Sequence, residues 1–401
     1  MGEYSADEVA ARAGIERSHV DRLVELGILV ADAEGQFSTG HVRRASIVTS
    51  LEGAGLPLAG IAEAIRTGVI GLEFVDQPTY DRYDGFGNVT FRELSTETGV
   101  PVDLLLVIRE AMGFAQAAPD DRLRDDELRV VPIVRFMVGR QFRTPVIERA
   151  LRVAGDSLRR IAETEADWWM TEIQQPLLRA GKSFAELGAL SGEFAFELGR
   201  ASDEMLLGLY HGQQSNTWLK NIFEGFEMAL EHAGLHSRLE RPPAVCFLDL
   251  TGYTRLTDER GDHAAAELAG QLARLVQRTS GQHGGRPVKW LGDGVMFYFR
   301  EPGPGVLAAL EMVDGASRAG LPPAHVGLHA GPVLFQEGDY FGRTVNVAAR
   351  IADYARQGEV LVSQAVVEAS HSPGITFAEI GPVELKGLSE PIRLHSARKS
   401  T

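Results

Sequence analysis

The sequence predicts an α+β chain: an all-α N-terminal region followed by a C-terminal domain in which strands and helices alternate. Three observations predict it. Apolar residues recur at helical spacing through roughly the first 240 positions. Pro242-Pro243 then breaks that texture. Beyond the break, β-rich runs such as AVCFLDL alternate with helical segments. At 401 residues the chain is too long for one ordinary domain, and 44% hydrophobic residues are enough for more than one core.

The first segment, YSADEVAARAGIERSHVDRLVELGIL, reads as helix-turn-helix. Ser5 suits a helix N-cap, with Glu8 as its capping-box partner three residues on. Val9, Ala13 and Ile15 form one apolar face, Gly14 marks the turn, and Val20, Leu23, Val24 and Leu26 carry the second helix. HVRRASIVTSLEGAGL reads as a third amphipathic helix. The order recurs about 85 residues later: FRELSTETGVPVDLLLVIREAMG repeats helix, turn and helix with Gly99 in the place of Gly14, and DELRVVPIVRFM matches HVRRASIVTSL. Two tandem helix-turn-helix units over 1–145 are expected. Residues 146–240 read as wholly helical, with Phe184, Leu187, Leu190, Phe194 and Leu198 at helical spacing and Trp168-Trp169 in a core or interface. Gly181-Lys182-Ser183 resembles the end of a phosphate-binding loop, but that loop needs a glycine where Pro176 stands, so the motif is rejected.

Residues 241–401 form the α+β domain. AVCFLDL reads as a buried strand and TRLTDERGDHAAAELAGQLARLVQRTS as a long helix. VKWLGDGVMFYF reads as a hairpin turning at Gly292-Asp293-Gly294. A helix around GVLAALEMVDGASRA, a strand pair in HVGLHAGPVLF, a helix in VNVAARIADYA and a strand in EVLVS follow.

The net charge of −15 and a pI of about 5.3 disfavour non-specific binding to nucleic acid or anionic lipid. No apolar run is long enough for a membrane span, and the acidic MGEYSADEVA lacks a secretory core. Cys246 is the single cysteine, within an apolar run, so no intrachain disulfide forms and an inert buried thiol is expected. A soluble cytoplasmic protein is the expectation.

Asp249 ends the first strand of the C-terminal domain, and Asp293 tips the hairpin. Taken alone, Asp293 is a turn residue and Lys289 a solvated lysine. If the two strands are neighbours, the two carboxylates converge. With no Cys or His expected nearby, they make an all-oxygen site suited to Mg²⁺ or Mn²⁺ acting on phosphate. The loop Leu250-Thr251-Gly252-Tyr253-Thr254 leads into a helix whose first N–H groups suit a phosphate. Asn346 and Arg350, four apart, share one helix face: an amide for a ribose or carbonyl and a guanidinium for a phosphate.

FLDLTGYT, KWLGDGVMF and GDYFGRTVNVAAR, in that order, resemble the catalytic domain of class III adenylyl/guanylyl cyclases over roughly residues 243–396. The resemblance implies a ferredoxin-like βααββαβ core and a head-to-tail homodimer whose active sites each draw on both chains. It implies that Asp249 and Asp293 bind two metal ions per site, and that Lys289 and Asp339 select the base. It further implies that Asn346 orients the ribose, Arg350 stabilises the pentavalent phosphorus, and Lys386 in VELKGLSEP binds the triphosphate, this last on a looser match. Gly252, Tyr253 and Thr254 fall on the phosphate side. The stretch from Gly331 to Phe341 is short beside the dimerisation arm of many relatives. Lysine only donates and ionised aspartate only accepts, so the pair fits adenine N1 and its amino group, and guanine reverses both. ATP is therefore the expected substrate, cyclised to 3′,5′-cyclic AMP and pyrophosphate. No protein general base is apparent.

The first unit resembles the MerR-type winged helix-turn-helix, which implies DNA binding. Residues 1–70 carry ten acids and six bases, a net −4, and ERSHVDRLVEL has acids among its arginines. DNA-binding faces are ordinarily basic, so a scaffold reused for regulation of the cyclase is preferred. The segment at 200–240 would repack to move the cyclase domains, with His232 and His236 near the junction able to confer pH sensitivity. The competing reading is a DNA-binding regulator that uses its cyclase-like domain as a nucleotide sensor.

Overall fold

Ser5 opens the first helix of the computed structural model, which describes residues 4–76, 85–235 and 242–400. Its side chain accepts from the Glu8 N–H, and the Glu8 carboxylate accepts from the Ser5 N–H at 2.7 Å, closing the expected capping box. The chain forms two compact units, Met1–Glu224 and Gly225–Thr401.

In the first unit, α1 (Ala6–Ala13) ends at Gly14, whose φ of 67° needs no Cβ, and α2 (Arg17–Glu25) follows. With α3 (Thr39–Gly53) and α4 (Leu58–Arg66) they enclose Val9, Val20, Leu23, Leu29, Val42 and Val48. The order then repeats. Thr90 and Glu93 form a second capping box, α5 (Phe91–Thr98) ends at Gly99 with φ 71°, and α6 (Val102–Ala111) packs Leu104, Leu105 and Ile108 inward.

Two details differ from expectation. The region is not all-α: β1 (Phe86–Thr90) and β2 (Arg122–Arg124) pair antiparallel, and Tyr4 bridges Phe37. These strands are three to five residues long and run directly into helix N-caps, too short to show an alternating pattern. DELRVVPIVRFM is also not one helix. It divides into α7 (Asp125–Leu128) and α8 (Val131–Gly139), because Pro132 is confined to a first turn.

α9 (Thr144–Trp169) leads through a π-helical turn, Met170–Gln174, to α10 (Gln175–Arg179), with Pro176 in its first turn. α11 (Phe184–His232) has 49 residues, about 74 Å of helix, and its last turns belong to the second unit. Gly181-Lys182-Ser183 is its start signal: Gly181 takes φ 87°, the Glu186 N–H donates to Ser183 Oγ, and the Glu186 carboxylate accepts from Lys182 and from the Ser183 N–H.

The second unit runs β3 (Ala244–Leu250), α12 (Tyr253–Arg260), α13 (Asp262–Gln282), β4 (Gly285–Leu291), β5 (Gly294–Phe299), α14 (Pro302–Arg318) and β6 (Ala324–Ala330). That is the expected βααββαβ core. The helix read as one long element is two, separated at Gly261 with φ 81°. A small hairpin, β7 (Leu334–Gln336) and β8 (Asp339–Phe341), precedes α15 (Arg343–Tyr354). β9 (Val360–Ser363), α16 (Gln364–Ala369), β10 (Ile375–Val383) and β11 (Ile392–Lys399) complete the unit. The seven-stranded sheet has the order β10-β11-β9-β6-β3-β5-β4.

Strand alternation sorts the side chains. Cys246, Leu248, Leu250 and Phe297 face α13 and α14, while Val245, Phe247 and Met296 face α15. Burial pushes the Cys246 thiol pKa far up, leaving it inert. α15 lies directly on β6: a Cβ on Gly327 would come within 2.1 Å of the Ala352 nitrogen. Among the described residues, no helix is long and apolar enough to cross a membrane.

Candidate active site

Asp249 stands at the end of β3 on the α15 side of the sheet, the odd-numbered face of that strand. β5 pairs antiparallel with β3, Leu248 opposite Val295, so the two-residue loop Gly292–Asp293 between β4 and β5 arrives beside Asp249. Gly294 permits the approach: a Cβ there would lie 3.1 Å from Asp249 Oδ1. Partial burial raises the Asp249 pKa, and the negative charge of Asp293 raises it further. Two carboxylates forced together in this way fit a bound cation, which would relieve their repulsion.

A histidine does stand nearby, against expectation. His325 on β6 is the cross-strand partner of Asp249. Its Nε2 lies 3.7 Å from Asp249 Oδ2 and its Nδ1 3.1 Å from Thr251 Oγ1. His325 lies 76 positions after Asp249, and only the β3–β6 register brings them together. Among the described residues, no group of three or more His, Cys, Asp or Glu side chains could hold a metal. The carboxylate pair is thus a partial shell, and water and phosphate oxygens would supply the rest for a hard divalent cation.

The phosphate-side loop is formed as expected in its backbone. Gly252, at φ 82°, is the N-cap of α12, and the N–H groups of Tyr253 and Thr254 open that helix. The Tyr253 side chain faces inward: its hydroxyl donates to the Ala265 carbonyl at 2.7 Å, which ties α12 to α13. The side chain of Thr254 lies outside the described residues, as does His236.

Lys289 and Asp339 meet, Nζ to Oδ2 at 2.6 Å, from β4 and β8. A β-bulge makes this possible. Arg286 pairs with Tyr298 and Lys289 with Met296, so Val288 is the extra residue in β4. Tyr298 and Met296 share one face of β5, and the bulge therefore puts Arg286 and Lys289, three apart, on the same α15-side face. The Tyr340 N–H holds the second Asp339 oxygen, Oδ1, at 2.7 Å.

Asn346 and Arg350 both lie on the exposed face of α15, as their spacing requires. Arg350 pairs with Asp353 at 2.7 Å on that outer surface. Lys386 is exposed in the turn between β10 and β11. β10 is the sheet edge four places from β3; β6 and β9 run parallel and the other neighbours antiparallel, which puts this turn at the end of the sheet opposite Asp249. One chain therefore joins Asp249 to Asp293 and Lys289 to Asp339, and does not join Lys386 to the carboxylates.

Residues 240–396 match the family described as adenylate and guanylate cyclase catalytic domain. The chain is 28% identical over 325 residues to a pH-sensitive adenylate cyclase of Mycobacterium tuberculosis, spanning 78% of each chain. It is 26% identical over 278 residues to an adenylate cyclase of Streptomyces coelicolor, spanning 69% of this chain and 70% of that one. Among solved structures, the adenylyl cyclase CyaB from P. aeruginosa aligns with 40% of this chain and 94% of its own, at 23% identity and a TM-score of 0.35. The chain is an enzyme, and its residues 240–396 are similar to the adenylate and guanylate cyclase catalytic domain.

Proposed function

We propose that the enzyme converts ATP to 3′,5′-cyclic AMP and pyrophosphate at sites shared between the catalytic domains of a homodimer. The observation that carries the base assignment is the Lys289–Asp339 contact of 2.6 Å on the same sheet face as the Asp249–Asp293 pair. Lys289 would donate to adenine N1 and Asp339 accept from the amino group. Guanine offers a donor and an acceptor in the opposite places. Each mismatch costs about 1–3 kcal/mol, so together they favour ATP on the order of a hundredfold.

Asp249 and Asp293 would hold two divalent ions, Mg²⁺ or Mn²⁺. Such ions, when bound, acidify the ribose 3′-hydroxyl and neutralise the triphosphate. The backbone of Gly252, Tyr253 and Thr254 would cradle phosphate oxygens at the start of α12. Asn346 would orient the ribose for in-line attack on the α-phosphorus, and Arg350 would stabilise the charge that develops there. Lys386 would reach the triphosphate of a site to which the partner chain contributes. The 3′-oxygen bonds to phosphorus as the bond to the pyrophosphate oxygen breaks, and the hydroxyl proton leaves to solvent.

Dimer formation has support in α11, where Trp218, Leu219, Ile222, Phe223, Phe226 and Leu230 are all exposed large apolar residues. A helix apolar on its surface needs a partner, and a second copy of the same helix supplies one. Within the second unit, Glu227 near the end of α11 pairs with Arg300, which follows β5. β5 begins beside Asp293, so this ion pair is the route by which the N-terminal helical region would regulate the site.

The test is incubation of the purified chain with ATP or GTP and Mg²⁺ or Mn²⁺, with the cyclic product measured. Cyclic AMP is expected, lost in Asp249→Ala. No cyclic product under any of these conditions rejects the reading.

A further inference from the structure

Among the described residues, the hairpin that carries Asp339 shares no strand ladder with the main sheet. β7 and β8 form a separate two-stranded sheet, Leu334 opposite Phe341. The distance from Asp339 to Lys289 is therefore set by side chains. The Tyr340 ring, 7% exposed, stacks on Tyr298 of β5 at 4.3 Å with an interplanar angle of 1°. Phe335 of β7 closes on Tyr340 at 5.1 Å. The Arg286 guanidinium lies 5.9, 5.4 and 5.3 Å from the Tyr298, Phe335 and Tyr340 rings, and its Nη2 donates to the Tyr340 hydroxyl at 2.6 Å.

Arg286 and Tyr298 are opposed in the β4–β5 register, so they form a floor fixed by the main ladder. Tyr340 docks on that floor, and its own N–H holds Asp339 Oδ1, which leaves Oδ2 for Lys289. The chain of contacts runs from a rigid strand pair through one arginine and one tyrosine to the carboxylate that would read the base.

We propose that Arg286, acting through Tyr340, is a specificity-determining positioning residue that holds Asp339 in register with Lys289. The proposal rests on the reading of Lys289 and Asp339 as the base-selecting pair. Arg286 itself does not touch the nucleotide. Its loss would let the hairpin shift on the sheet by a few tenths of an ångström or more, and the donor and acceptor would no longer match adenine together.

The experiment compares kcat and KM for ATP and GTP in the full-length protein, Arg286→Met, Arg286→Lys, Tyr340→Phe and Asp339→Asn, with thermal melts of each. Arg286→Met keeps the stem and removes charge and hydrogen bond, while Tyr340→Phe keeps the stacking and removes only the hydroxyl. The expected result is a drop of about tenfold in the ATP-over-GTP ratio of kcat/KM in Arg286→Met, carried mainly by KM for ATP. A smaller drop is expected in Tyr340→Phe, and partial rescue in Arg286→Lys. An unchanged ratio in Arg286→Met, or in Tyr340→Phe should the first variant fail to fold, overturns the proposal. A parallel loss with both nucleotides also overturns it and leaves Arg286 a structural residue. Asp339→Asn separates the two levels: if it keeps the wild-type ratio, the base-selecting reading fails; if it collapses the ratio while the Arg286 and Tyr340 variants do not, only the positioning role fails.

Discussion

His329 sits on β6 with Nδ1 2.7 Å from Ser363 Oγ on the neighbouring β9. Burial lowers its pKa to about 4, and the positive charge of Arg343 acts in the same direction. The ordinary value is 6.5, so between pH 6.5 and about 4 the unfolded chain binds a proton that the folded chain refuses. Stability should therefore be level above pH 6.5 and fall as pH drops through that window, by at most about 3 kcal/mol from this group. Melting temperatures from pH 7 to 4.5 check it. In His329→Asn that share of the slope should vanish, and an unchanged slope would assign the effect to other groups. At this scale the capping boxes of Ser5 and Thr90 and the positive-φ glycines Gly14 and Gly99 obey rules that span three or four residues, which is why the first box and both glycines were readable in sequence. His325 was not, because its relation to Asp249 is a cross-strand one.

At the scale of the element, β4 is the informative strand. Without the bulge, strict alternation over Arg286, Pro287, Val288 and Lys289 would put Lys289 on the face opposite Arg286, toward α13 and α14. Deleting Val288, the extra residue, should instead regularise the strand with Lys289 still opposite Met296 and on the Arg286 face. The ATP-over-GTP preference should then be kept. Kinetics with both nucleotides on a variant that still melts cooperatively would check this, and a preference lost by about tenfold or more, one base contact being broken, would mean that Val288 does more than set the face of Lys289. A bulge leaves no mark in hydrophobic patterning, since PVKWL reads as an ordinary strand with one charge. The hairpin itself was readable, although the loop is Gly292–Asp293 and Gly294 already belongs to β5. The β1–β2 pair and the division at Pro132 were missed or misjudged for the opposite reason: at three to five residues, these elements are too short to establish a pattern.

For the whole molecule, the separation of functional groups on one chain matters most. The carboxylates Asp249 and Asp293 converge, Asn346 and Arg350 project outward from α15, and Lys386 lies at the far end of the sheet. If these groups act together as proposed, a partner chain completes each site, with Asp249 and Asp293 from one chain and Lys289, Asp339, Asn346 and Arg350 from the other. Lys289→Ala and Asp293→Ala chains should each be inactive alone. Mixed in equal amounts and allowed to exchange, half the dimers are mixed, and each holds one intact site of two, so about a quarter of wild-type activity should return. Native mass spectrometry would establish that mixed dimers form; a dead mixture with mixed dimers present would mean that each site is built within one chain.

By itself the sequence determined the first capping box, the helix stops at Gly14 and Gly99, the βααββαβ order of the C-terminal core, and which residues are proposed to bind metal, base and phosphate. Those depend on contacts within a few positions or on motifs a few residues long. Only the tertiary structure decided that His325 faces Asp249, that a bulge turns Lys289 toward Asp339, and that Arg286 and Tyr340 seat the hairpin carrying that aspartate. Each of these is a pairing register between segments tens of residues apart. Register is set by backbone ladders and packed rings, and local side-chain pattern does not encode it.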